Sequence, residues 1–139
     1  MPELAPGLVG EASKIVTDDL TAAAIGSGLV PAFSTPSLVS LMETAAYTAV
    51  GPHLSAGQTS VGVDVSIKHL AASPVGMRVR ARAELMRVEG RRLFFRVEAW
   101  DEVDKIGEGT HDRMVVDRAR FDDRLQEKAS QKRTLEGTG

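Results

Sequence analysis

The hydrophobic period changes once along this chain, and that change leaves few architectures open. Over residues 36–50, Leu38, Leu41, Met42, Ala45 and Ala49 recur at helical spacing and form one apolar stripe. From residue 60 onward the apolar residues alternate in twos. Val61, Val63, Val65 and Ile67 share one face of a predicted strand, with Gly62, Asp64, Ser66 and Lys68 on the other. Residues 77–88 repeat the pattern, with Met77, Val79, Ala81, Ala83 and Leu85 set against Arg78, Arg80, Arg82 and Glu84. Glu89-Gly90 reads as a tight turn, after which Leu93, Phe95, Val97 and Ala99 point inward and Arg96 and Glu98 outward. A last strand spans about Ile106 to Asp117. Ahead of the helix, residues 8–17 read weakly as a first strand and residues 18–28 as a helical turn closed by glycine. Thr35 is the expected N-cap of the long helix, Pro36 suits its first position, and Gly51-Pro52 stops it.

The predicted order is therefore strand, long helix, then four antiparallel strands joined by short turns. One helix must cover one face of that sheet, which is a two-layer α+β arrangement. Ala45, Ala46 and Ala49 are small enough for a curved sheet to wrap the helix closely. This is the outline of a hot-dog fold: one long helix wrapped by a five-stranded antiparallel sheet. At 139 residues the chain is expected to form a single domain over 1–139 with a real core. A polar tail from about residue 119 is expected to be an exposed helix or frayed chain. The Arg78, Arg80 and Arg82 row reads as the solvated face of a strand.

Composition removes several function classes. A net charge of −2 and a pI of about 5.9 favour neither nucleic acid nor an anionic membrane as partner. The absence of cysteine excludes a thiol nucleophile, a disulfide framework and cysteine-ligated zinc. Three scattered histidines lack metal-ligand spacing, so neither a metal nor another cofactor is expected. There is no G-x-S-x-G elbow and no phosphate-binding glycine loop. No signal-length apolar stretch follows a basic start, which points to a cytoplasmic location.

What remains is a hydroxyl, a carboxylate and an imidazole, the parts of acyl-transfer chemistry. Thr35 opens the helix, Glu43 lies off its apolar stripe, and His69 ends the Val/Ile strand on that strand's apolar face. Each has an ordinary structural reading as cap, solvated carboxylate and core histidine. A cap hydroxyl beside free backbone N–H groups is also well placed to help hold an oxyanion. Thr35 and Glu43 are eight residues apart, about 12 Å along a helix axis. They meet only if Thr35 lies in a loop that turns back or if a second subunit completes the site.

Four separated motifs make the reading sharper. They are Leu41-Met42-Glu43; Val65-x-x-x-His69-x-Ala71-Ala72-x-Pro74-x-Gly76; Val88-Glu89-Gly90-Arg91-Arg92-Leu93; and Ile106-Gly107-x-Gly109-Thr110-His111-x-Arg113. In this order, over residues 30–128, the chain resembles the fluoroacetyl-CoA thioesterase family. The resemblance implies a hot-dog homodimer, or a dimer of dimers, that hydrolyses a small acyl-CoA. It implies a catalytic set of Thr35, Glu43 and His69, with Gly62 and Arg113 contacting substrate. The family's lid carries phenylalanines that recognise the fluorinated acyl group, whereas Ile25-Gly26-Ser27-Gly28-Leu29-Val30 has no aromatic residue. Fluoroacetyl specificity therefore does not carry over with the resemblance.

The expected reaction is thioester hydrolysis, with Glu43 as nucleophile or as general base for water, and with His69 and Thr35 assisting. Lys68, Arg91 and Arg92 are the candidates for the CoA phosphates. His53 and His111 are read as structural. The alternative from another class is a non-catalytic hot-dog protein that binds acyl-CoA or another small ligand. Steady turnover of short acyl-CoA substrates separates the two.

Overall fold

The computed structural model describes residues 4–137. After β1 (Val9–Ile15) come a 3-10 turn (Asp18–Leu20), a short helix α1 (Ala22–Ile25) and the long helix α2 (Thr35–Val50). A second 3-10 turn (Gly51–His53) leads to β2 (Gln58–His69), β3 (Arg78–Glu89), β4 (Arg92–Trp100) and β5 (Lys105–Asp117). The chain ends in helix α3 (Arg118–Gly137). The five strands form one sheet in the order β1-β3-β4-β5-β2, and every neighbouring pair is antiparallel. This is the expected α+β architecture, with the sheet wrapped around α2.

The core lies between α2 and the concave face of the sheet. Leu38, Leu41, Met42, Ala45, Ala46, Ala49 and Val50 are buried from the helix. Val79, Ala81, Ala83 and Leu85 face them from β3, and Leu93, Phe95, Val97 and Ala99 from β4. The period-two pattern thus placed the inward sets of both strands correctly. The helix can approach so closely because small residues meet at the crossing. A Cβ on Gly10 of β1 would stand 2.2 Å from the Ala45 carbonyl oxygen and 2.6 Å from the Ala49 nitrogen. Those are backbone atoms, which cannot rotate out of the way.

Three local expectations are corrected. The N-cap of α2 is Ser34, whose side chain accepts from the Ser37 N–H, and Thr35 is the first helical residue. Ser34 and Thr35 are both good caps, and capping geometry selected the earlier one. Residues 18–28 hold the expected glycine-closed helical turn, but only as the shorter α1, which ends at Gly26 in the left-handed conformation. Thr21 interrupts them in extended conformation and caps α1 by accepting from the Ala24 N–H. The apolar face of β2 is not covered by the helix: Val63 is 47% and Val65 39% exposed. A bulge between Gly62 and Asp64 shifts the register against β5, and β2 lies at the sheet edge, where α2 meets it at Gly62 and His69 but does not cover Val63 and Val65.

Helix α3 buries none of its residues and carries i,i+4 ion pairs at Arg118–Asp122 and Lys132–Glu136. The β3 arginines face solvent, with Arg80 paired to Glu11 and Arg82 to Glu84. Among the described residues, no helix is long and apolar enough to cross a membrane.

Replacement of Gly10 by alanine is expected to force β1 away from α2 and to lower stability by about 2–3 kcal/mol. Urea denaturation should show this as a lower midpoint with an unchanged slope. A Gly10→Ala protein as stable as the parent would mean that the helix does not sit this close.

Candidate active site

Helix α2 carries two of the expected reactive groups, and they lie in different places. Thr35 starts the helix and Glu43 follows two turns later, about 12 Å further along the axis. Because Thr35 is helical, the loop that would have turned it back toward Glu43 does not exist. Each group meets its own partners from the sheet.

At the first position the Thr35 hydroxyl contacts His69 Nδ1 at 2.8 Å. His69 ends β2, and the chain then turns away at Leu70, whose N–H donates to the Ile106 carbonyl at 2.7 Å. The contact fixes the imidazole plane. It also leaves Nε2 buried with no hydrogen-bond partner from the protein. Burial holds the His69 imidazole below the ordinary histidine range, against an opposing pull from the Ala71 backbone. The ring is therefore neutral at neutral pH. Thr35 and His69 both line a cavity of about 490 Å³.

At the second position Glu43 is partly exposed and lies 3.6 Å from Arg113 Nη1. Arg113 is only 6% exposed, and its donors are almost fully engaged. Nε donates to Ser60 Oγ at 2.8 Å, Nη2 to the Ser60 carbonyl at 2.9 Å, and Nη1 to His111 Nε2 at 3.1 Å. His111 in turn donates from Nδ1 to the Asp64 carbonyl at 2.8 Å. Those two bonds define one tautomer, with Nδ1 protonated and Nε2 accepting. Burial is the main cause that keeps His111 neutral; the Asp64 carbonyl opposes it and the Arg113 charge reinforces it. Burial also lowers the Arg113 pKa, while Glu43 and Tyr47 support the charge.

Gly62 completes this cluster. It pairs with Arg113 across the β2–β5 ladder, and a Cβ there would come within 2.8 Å of Glu43 Oε2 and 3.1 Å of His111 Cε1. Glycine leaves room for the carboxylate to reach the guanidinium. The structure thus joins Thr35 with His69, and Glu43 with Gly62 and Arg113, but does not join the two groups within one chain.

His111 is corrected from a structural residue without a partner to the member that orients Arg113. The signal was present in the strand period, since His111, Arg113 and Val115 alternate inward on β5. Of the proposed phosphate contacts, Arg92 is occupied by Asp112 at 2.9 Å, while Lys68 and Arg91 are exposed. No group of acidic, histidine or cysteine residues suited to a metal ion occurs among the described residues.

A helix wrapped by a five-stranded antiparallel sheet, with polar groups gathered along its length, defines the hot-dog thioesterase class. Solved members of that class superpose closely. A thioesterase-superfamily protein from Thermus thermophilus matches with a TM-score of 0.89 at 29% identity, covering 96% of this chain and 99% of that one. A hot-dog-like protein from Thermanaerovibrio acidaminovorans matches with a TM-score of 0.80 at 26% identity, covering 88% and 91% of the two chains.

The family follows from closer relatives. The model of the fluoroacetyl-CoA-specific thioesterase family matches residues 16–119. The fluoroacetyl-CoA thioesterase of Streptantibioticus cattleyicolor is 45% identical over 69% of each chain. A solved fluoroacetyl-CoA thioesterase superposes with a TM-score of 0.86 at 34% identity, covering 91% of this chain and 98% of that one. The chain belongs to the fluoroacetyl-CoA-specific thioesterase family, and its activity is thioester hydrolysis.

Arg113→Met is expected to leave the Ser60 carbonyl and His111 Nε2 without donors and to cost about 2–4 kcal/mol. Arg113→Lys keeps the charge but not the fork that grips Ser60, so an intermediate loss is expected. A Met variant that melts with the parent protein would show that the cluster adds nothing to stability.

Proposed function

We propose that the protein hydrolyses a small acyl-CoA to the free acid and CoA, as a homodimer in which each active site draws on both subunits. Residues 1–139 act as one hot-dog domain in this reading. The observation that carries it is the separation of two half-sites on one straight helix. Thr35 and His69 form one half, Glu43 with Gly62 and Arg113 the other, and a dyad-related copy can bring unlike halves together. Strand β2 supports this as the contact. It is a twelve-residue strand at the sheet edge, with Val63 and Val65 exposed, and a strand of that length invites pairing.

The chemistry follows from the groups present. The Glu43 carboxylate, steered by Arg113, either attacks the thioester carbon or removes a proton from the attacking water. The carbonyl oxygen becomes an oxyanion in the tetrahedral intermediate. The Thr35 N–H at the start of α2 is suited to stabilise it, since Pro36 has no N–H and those of Ser37 and Leu38 are taken by Ser34. Collapse breaks the C–S bond, and His69, held by Thr35, serves the proton transfers that free the CoA thiol; where Glu43 is the nucleophile, water then cleaves the acyl-Glu43 anhydride to the free acid and restores the carboxylate. The missing lid aromatics separate this chain from fluoroacetyl specificity. After single turnover in oxygen-18 water, label in the Glu43 carboxylate identifies it as the nucleophile, by water attack on its own carbonyl in the anhydride.

Glu43→Gln is expected to reduce kcat by about 10²–10⁴-fold with little change in melting temperature. Retention of parental turnover would make Glu43 a surface carboxylate and assign the base or nucleophile to another group. The shared site has its own test. Glu43→Gln and His69→Ala chains, each inactive alone, should regain about a quarter of the parental activity when unfolded together and refolded, because half the dimers then carry one intact site. No recovery from a well-folded mixture would place each site within one chain.

A further inference from the structure

We propose that the cavity at the Thr35–His69 end is the acyl pocket, and that it takes an uncharged aliphatic acyl chain of about four carbons or more rather than an acetyl-sized group. This rests on the thioesterase reading above and deepens it. The reactive pair borders the cavity, since Thr35 and His69 both line it. A chain that leaves the thioester carbon beside His69 continues into this space.

Size sets the lower bound. The cavity measures about 490 Å³, whereas the methyl of an acetyl group is about the size of one water, roughly 30 Å³. Small residues make the room: Ala22, Gly28, Ala32, Ala71 and Ala72 all face it. Leu29, between two lining residues, is 96% exposed and does not fill it.

Chemistry sets the class. None of the thirteen lining residues is Asp, Glu, Lys or Arg, so nothing there balances a second carboxylate. The pocket therefore disfavours malonyl and succinyl groups. The other available occupant is the pantetheine arm of CoA, whose amides need polar partners. The Ser34 hydroxyl is not free for them, because it already donates to Ser37 Oγ and accepts from the Ser37 N–H, which leaves Ser27, besides the Thr35–His69 pair, as the polar side chain of the wall. An aliphatic chain suits the remaining surface better.

Gly28 allows a direct test. Its φ lies outside the left-handed region, and an added Cβ would be 3.5 Å from Ala22 Cβ, an ordinary contact. Gly28→Phe can therefore fill the pocket without straining the backbone. The experiment measures kcat/KM for acetyl-, butyryl-, hexanoyl-, octanoyl- and succinyl-CoA on the parent protein, on Gly28→Phe and on Ala72→Leu. Each buried methylene adds about fourfold. Hexanoyl-CoA should thus exceed acetyl-CoA by at least about tenfold, allowing for an open mouth, and succinyl-CoA should fall well below butyryl-CoA. Gly28→Phe should lower the hexanoyl-to-acetyl ratio by about tenfold or more, and Ala72→Leu should move it the same way. Equal or preferred acetyl-CoA overturns the inference while leaving the hydrolase reading intact. Variants that slow every substrate alike overturn it by assigning the cavity to the CoA arm. Hydrolysis of none of the five overturns both.

Discussion

The close approach of α2 to the sheet is the constraint on which the rest depends. Where β1 crosses the helix, Gly10 faces the backbone of Ala45 and Ala49 with no space for a side chain. Gly107 of β5 gives room to the side-chain ends of Leu38 and Met42, to which a Cβ would come within 2.9 and 3.0 Å, a softer constraint because those ends can rotate. Glycine on the strands and alanine on the helix together set the spacing of the two layers. That spacing places Thr35 within reach of the end of β2 and Glu43 within reach of β5. A larger residue at the crossing would move the helix as a rigid rod and disturb both contacts together.

A straight helix also acts as a ruler. Its rise separates the two reactive positions by a distance no side chain bridges. In the proposed reading, a chain with this geometry holds two preorganised halves of a site. The Thr35–His69 half is lightly built, with one hydrogen bond and one unpartnered ring nitrogen, and it borders a cavity. The Glu43–Arg113 half is heavily braced, with Ser60, His111 and the Asp64 carbonyl locking the guanidinium in place. The difference suits their tasks. Proton transfer needs a ring that can exchange a proton, whereas a steering charge is most effective when it cannot move.

The sheet topology accounts for the exposure of β2. Placing β2 at the edge leaves its Val63 and Val65 without cover in a single chain. The same strand carries Gly62 and His69, one from each half-site. An edge that would otherwise be a liability therefore lies where the catalytic groups are divided, which ties the proposed assembly to the proposed chemistry.

Much of this was legible in the residues. The helix over 36–50 and the alternation on β3 and β4 are strong because burial on one face imposes a period of 3.6 or 2. The residue types proposed to react come from the sequence too, since few other groups in a cysteine-free chain can carry acyl transfer. The sequence by itself determined which segments became helix and strand, which faces of β3 and β4 were buried, and the family through its four ordered motifs. Only the tertiary structure decided that Ser34 rather than Thr35 caps the helix, that a bulge turns the upper part of β2 outward, and that His111 braces Arg113. Those outcomes depend on strand order, register and the distance between layers. Each is a relation between segments far apart in the chain, and local periodicity carries no information about it.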